Sequence, residues 1–185
     1  MLREAVRRHL QRFWPSVHQM RRVLVRRVDK SIAWHGGDRE AALALVDQLL
    51  AALVAEGTLD DARFARAWVN DLHRRGLARQ AIVARVCSKG VDRALVLDAL
   101  DSLEQAIPDA ELVRACAYAR RRRLGAARPP ARRPTNRAEI RKRREKDLAA
   151  MFRAGFSPGI ALRVIDAKDI DALLAEADGG VGSTW

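Results

Sequence analysis

Aromatic residues make up only 5% of this sequence, cysteines number two, and no apolar run reaches the ~18 residues that a membrane span needs. Each scarcity closes a class of answers. With few aromatics, and with alanine supplying much of the 49% hydrophobic content, the chain favours helices packed through small and aliphatic side chains over sheets. Cys87 and Cys116 sit in apolar helical patterns without CxxC or other ligand spacing, so free, buried thiols in a reducing compartment are expected rather than a disulfide or a metal site. The most apolar stretch, AALALVDQLLAALVA, is interrupted by Asp47 and Gln48, and the Arg-rich start lacks the apolar core of a signal peptide. A cytoplasmic protein without a membrane partner is the expectation. His9, His18, His35 and His73 form no HExxH or other ligand pattern, and there is no Gly-rich phosphate loop, GxSxG elbow or Cys/His pairing. No enzyme, metal or cofactor is therefore expected.

What the chain has in quantity is positive charge, and it is unevenly placed. Of the net +12, residues 1–30 hold 9 basic against 2 acidic residues, and residues 114–146 hold 14 against 2, which leaves the remainder acidic. Two basic concentrations on one chain are the footprint of a polyanion or of an acidic protein surface. Charge alone leaves those two alternatives open.

The second abundance is repetition. KGVDRALVLDAL, residues 89–100, and AGFSPGIALRVI, residues 154–165, share a glycine, a large apolar residue, a polar helix-starter and then apolar residues at matching places. Gly90 matches Gly155, Val91 matches Phe156, Val96 matches Ala161, Ala99 matches Val164 and Leu100 matches Ile165. Before the first of these lies GTLDDARFARAWVNDLHRRG, where Asp60 and Asp61 suit a helix N-terminus and Phe64, Ala65, Trp68, Val69 and Leu72 make an apolar stripe. Gly76 closes that helix, a second runs from about Arg79 to Lys89, and a third begins at Asp92. Phe64 and Trp68 are read as core, and His73 as a cation at the helix C-terminus. Three short helices joined by glycine stops cannot bury their stripes alone.

The expected fold is accordingly all-α, an elongated array of three tandem three-helix repeats. Residues 1–20 read as a basic N-terminal tail, 21–57 as a degenerate first repeat, 58–105 as the second and 106–167 as the third. The third carries an Arg/Pro-rich insertion at about 124–136, LGAARPPARRPTN, whose three prolines forbid a continuous helix. Residues 168–185 read as a short helix and a flexible, Gly-rich tail. Trp14, Trp34 and Trp185 are left as candidates for a surface anchor.

The LDD-x-x-FA opening at 59–65, the Gly-ended second helix and the Gly-apolar-[Asp/Ser] starts at Gly90 and Gly155 resemble the RecX family of bacterial recombination regulators. The likeness covers about residues 23–167 and is most specific in the second repeat. It implies a non-enzymatic modulator that docks in the groove of the RecA–DNA filament as a monomer and restrains ATP hydrolysis, strand exchange and co-protease activity, with roles in homologous recombination and the SOS response. Single- or double-stranded DNA is a further expected contact.

Candidate contact residues come from the charge pattern. Arg120, Arg121, Arg122 and Arg123 stand consecutively at one helical end and cannot all face a core; Arg141, Lys142, Arg143 and Arg144 continue the stripe. Arg74, Arg75, Arg79 and Lys89 flank the helix stops of the second repeat and are secondary candidates. Arginine in place of lysine favours bidentate contact with phosphate or carboxylate. Asp60, Asp61, Phe64, Ala65, Trp68, Gly90 and Gly155 are assigned structural roles. The competing reading is a direct DNA-binding protein of helix-turn-helix type. Its weakness is that the third helices open as DRALVLDAL and SPGIALRVI, poor in side chains that read base edges.

Overall fold

The computed structural model describes residues 2–11 and 13–179, with side chains described through residue 176. Trp185 and the Gly-rich tail lie outside the described residues. Every regular element among those described is helical, so the fold is all-α: α1 (Leu2–Leu10), α2 (Val17–His35), α3 (Arg39–Ala55), α4 (Asp61–Arg74), α5 (Arg79–Cys87), α6 (Arg93–Ala106), α7 (Ala110–Arg122), α8 (Arg137–Ala154), α9 (Pro158–Asp166) and α10 (Ile170–Gly179). Two short 3-10 turns, Gly125–Ala127 and Pro130–Arg132, lie between α7 and α8. The chain divides into two compact units, 1–68 with 85–99 and 69–84 with 100–185.

In the first unit, α1 to α3 share a core of Ala5, Val6, Met20, Leu24, Val28, Val46, Leu50 and Leu53, closed by Leu59. The stretch expected as a tail, residues 1–20, therefore holds α1 and the start of α2. Ala5 and Val6 are buried, with Leu2 and Leu10 packed against the same core, and the arginines at 3, 7 and 8 point the other way into solvent. Ser16 and Gln19 form a capping box at the start of α2: the Ser16 hydroxyl accepts from the Gln19 N–H at 3.2 Å, and the Gln19 side chain accepts from the Ser16 N–H at 3.1 Å. That hydroxyl also donates to the Lys89 carbonyl at 2.7 Å. Asp38 caps α3 by accepting from Glu40 and Ala41.

In the second unit, α7, α8, α9 and α10 close over Leu112, Ala115, Cys116, Ala119, Leu148, Met151, Phe156, Ala161, Val164 and Ile165. Ser157 occupies the N-cap of α9 without a side-chain cap; the Glu111 carboxylate accepts the Ser157 N–H instead, at 2.9 Å.

The internal repeat has a structural counterpart. Val91 and Phe156, Val96 and Ala161, Ala99 and Val164, and Leu100 and Ile165 are all buried, pair by pair. Gly90 and Gly155 both hold positive φ, 81° and 93°. At Gly90 a second constraint is steric, because a Cβ there would stand 2.2 Å from the His18 ring. The pairs diverge only on the outer face, where Leu97 is half-buried and Leu162 is exposed.

Candidate functional site

The basic stretch beginning at Arg114 splits into groups with different partners. Arg114 itself is buried and pairs with Glu104 at 2.7 Å; Arg79 binds the same Glu104 and reaches Asp101 at 2.5 Å. Arg79 is thus held by two carboxylates of its own chain. His73, expected as a cation at the helix C-terminus, is buried at 4% exposure with no partner for its Nε2. Burial and the adjacent Arg114 lower its pKa, against a weaker upward pull from Glu104, so it is neutral at pH 7. Arg75 pairs with Asp71 at 2.9 Å, and Arg74 is exposed.

At the end of α7, Arg120 pairs with Asp171, and Arg121 lies 5.7 Å from the Tyr118 ring centre. Arg122 and Arg123 are exposed, with Arg123 in the left-handed conformation (φ 56°) that ends the helix. The insertion that follows is pinned to the protein. Asp147, buried on α8, accepts from Arg128 through both oxygens, at 2.9 and 2.8 Å, and from the Gly125 N–H at 3.0 Å. Arg133 donates to the carbonyls of Arg128 and Ala126. The insertion contains two short 3-10 turns, and sequence reasoning missed the Asp147 anchor because it lies 19 residues from Arg128.

The first part of α8 behaves differently. All ten residues from 137 to 146 are exposed, around the full circumference of the helix, and six of them are basic against two acidic. At 1.5 Å per residue this is about 15 Å of helix without a buried face. Asn136 caps its start by accepting from the Ala138 N–H at 2.8 Å. Arg144 grips Asp166 with two bonds of 2.6 Å, whereas Arg141, Lys142 and Arg143 make no ion pair among the described residues. Those three cations have their full charge available to an outside partner.

The residues assigned structural roles fall as follows. Asp60 accepts the Arg63 N–H at 2.9 Å and so caps α4. Asp61 accepts the Val17 N–H at 2.9 Å and so caps α2, a long-range role that spacing within α4 does not reveal; burial raises its pKa, partly offset by that hydrogen bond. Phe64 and Ala65 are buried. Trp68 is only half-buried, and the Lys89 ammonium lies 3.9 Å over its ring.

No cluster of His, Cys, Asp or Glu suited to a metal ion occurs among the described residues. Cys116 is buried and Cys87 is half-buried. Burial pushes the Cys116 thiol up to about 11, which keeps it protonated and unreactive at neutral pH. No described helix is long and apolar enough to cross a membrane.

Comparison with known proteins adds the decisive observation. Residues 60–100 match the family model described as RecX, second three-helix domain. The chain is 39% identical over 167 residues to Regulatory protein RecX of Myxococcus xanthus (strain DK1622), an alignment covering 90% of this chain and 85% of the relative. The chain belongs to the RecX family. Further RecX-family relatives, each also called Regulatory protein RecX, are those of Thermobifida fusca (strain YX), 37% identical over 76% of this chain and 69% of the relative, and Streptomyces coelicolor, 33% identical over 69% and 62%. No solved structure gives a significant match. The matched segment of the RecX model runs from Asp60, which caps α4, to Leu100 of α6, so it holds both aspartates of the LDD opening and the Gly90 stop.

Proposed function

We propose that this RecX-family chain is a non-enzymatic, monomeric, cytoplasmic regulator that binds RecA–DNA filaments in their helical groove and inhibits RecA ATPase, strand exchange and co-protease activity. The observation that carries the reading is the alignment over 90% of the chain to a relative named as a regulatory protein of this family. The surface supports it physically. A nucleoprotein filament groove presents phosphate, so a helical partner with cations on its outside suits its charge. Arg122, Arg123, Arg141, Lys142 and Arg143 are the residues best placed for that contact, being exposed and without carboxylate partners among the described residues. Arg79, held by Asp101 and Glu104, is withdrawn from it.

The test is ATP hydrolysis by RecA on single-stranded DNA while this protein is titrated in, with its binding to the same DNA alone measured at matched salt. Suppression at concentrations too low to occupy free DNA is expected. Suppression that begins only as the DNA saturates would replace this reading with plain DNA binding.

A further inference from the structure

The first unit carries a feature that neither the repeats nor the α7–α8 cations account for. Phe13 and Trp14, in the connection between α1 and α2, are 61% and 48% exposed, although each is a large apolar ring. They help line a groove of about 540 Å³ together with Trp68 and with Gln19, Arg22 and Arg26 of α2. Exposed aromatics grouped around one groove call for a partner, since a monomer has no reason to leave several such rings in water together.

The electrostatics of the groove narrow the partner. Its lining contains no carboxylate. Arg22 and Arg26 are exposed, one turn apart on α2, and neither makes an ion pair among the described residues, in contrast to the neighbouring Arg21, which is committed to Asp47 at 2.8 Å. The Arg63 guanidinium lies 4.1 Å over Trp14 and the Lys89 ammonium 3.9 Å over Trp68, so a cation is already laid against each indole. An adjoining crevice lined by His18, Arg21, Arg22, Val25 and Arg26 carries the same positive tract along α2.

Flat π surfaces alternating with cations and free of carboxylates match a strand whose bases offer π faces and whose backbone offers phosphates. In a duplex those faces are stacked on one another and closed off, so the strand must be unpaired. An aromatic-anchored acidic peptide fits less well, because such an anchor needs a closed pocket that desolvates it, and here the rings stand open to solvent. We infer that the groove between Phe13–Trp14 and α2 is a stacking site for unpaired nucleobases, with Arg22 and Arg26 on the flanking phosphates.

The experiment uses the full chain in a Trp34→Phe, Trp185→Phe background, so that emission reports Trp14 and Trp68. An oligothymidylate of about fifteen nucleotides is compared with an abasic strand of the same length, which keeps the phosphates and lacks the bases. Quenching by the oligothymidylate, with the abasic strand bound more weakly and quenching little, is the expected result. Trp14→Ala should weaken oligothymidylate binding between about 5- and 150-fold while leaving the abasic strand unaffected, the range that one lost stack implies. Phe13→Ala, at a more exposed ring, is the second variant, and far-UV circular dichroism confirms that each is folded. Equal affinity for the two strands, or quenching by an Asp/Glu/Phe peptide and by neither strand, overturns the assignment. Because RecA is absent from this assay, its failure is separable from failure of the filament reading.

Discussion

Two arginine-rich stretches of the second unit, 120–133 and 137–146, are alike in sequence and differ in how many of their cations the fold has already paired. Much of the first is drawn back onto the protein: Arg128 is half-buried against Asp147, Arg133 is spent on backbone carbonyls and Arg120 is paired with Asp171, while Arg122 and Arg123 stay exposed. The second is a helix in solvent on every side, with one of its six cations, Arg144, tied to a carboxylate. What separates them is the supply of acceptors within reach. A buried ion pair of good geometry organises the insertion, while the exposed helix owes its form to its Asn136 cap and to residues of high helix propensity. Charge density in a sequence is thus a poor guide to charge that is available for binding.

Removing the acceptor should break the contrast most severely. Asp147→Ala leaves the half-buried Arg128 without its carboxylate and the Gly125 N–H unsatisfied, and should cost about 3 kcal/mol in chemical denaturation. A loss within about 1 kcal/mol would mean that the insertion is not anchored there.

The next effect is on binding. Arg141→Ala, Lys142→Ala and Arg143→Ala together should weaken filament binding by tenfold or more at low salt while leaving the unfolding transition in place, since all three are exposed and none makes an ion pair among the described residues. Replacing Arg120 to Arg123 by alanine should cost less affinity, because Arg120 is committed to Asp171 and Arg121 lies near Tyr118. If the second variant is the weaker binder, the assignment of available charge is inverted.

A smaller effect is expected at the buried end of the basic series. Burial and Arg114 hold the His73 pKa below its ordinary value of 6.5, so the unfolded chain takes up a proton there more readily than the folded one. Stability should therefore fall as the pH is lowered through and below about 6.5, and His73→Gln should flatten that part of the stability–pH curve. An unchanged curve would show that the acid dependence arises elsewhere. Smallest of all is Arg144→Ala, whose exposed pairing with Asp166 should leave the unfolding midpoint where it is.

The sequence was most informative where a period or a stop is local. The α4 stripe, the glycine stops at 90 and 155 and the matched apolar positions of α6 and α9 all follow from neighbours within one turn of helix, and the all-α class follows from them. It was least informative where a residue's partner lies far along the chain. α1 was hidden because Leu2, Val6 and Leu10 keep the helical spacing amid arginines that draw the eye to charge. Asp61 caps α2 rather than its own helix, through a contact 44 residues away, and Asp147 reaches back 22 residues to Gly125. His73 became a buried neutral group because Arg114 and Glu104 come in from another part of the sequence. Type and charge are readable for Arg79 and Arg143 alike, and only folding shows which of them already has a partner.

The most direct test of the account is the salt dependence of binding to RecA–DNA filaments, wild type against the Arg141/Lys142/Arg143 triple alanine variant. If those cations meet phosphate, the slope of log affinity against log salt should become shallower by about 2 to 3, close to one for each charge removed. Parallel lines, with slope and affinity both unchanged, would contradict the claim that the exposed helix carries the contact.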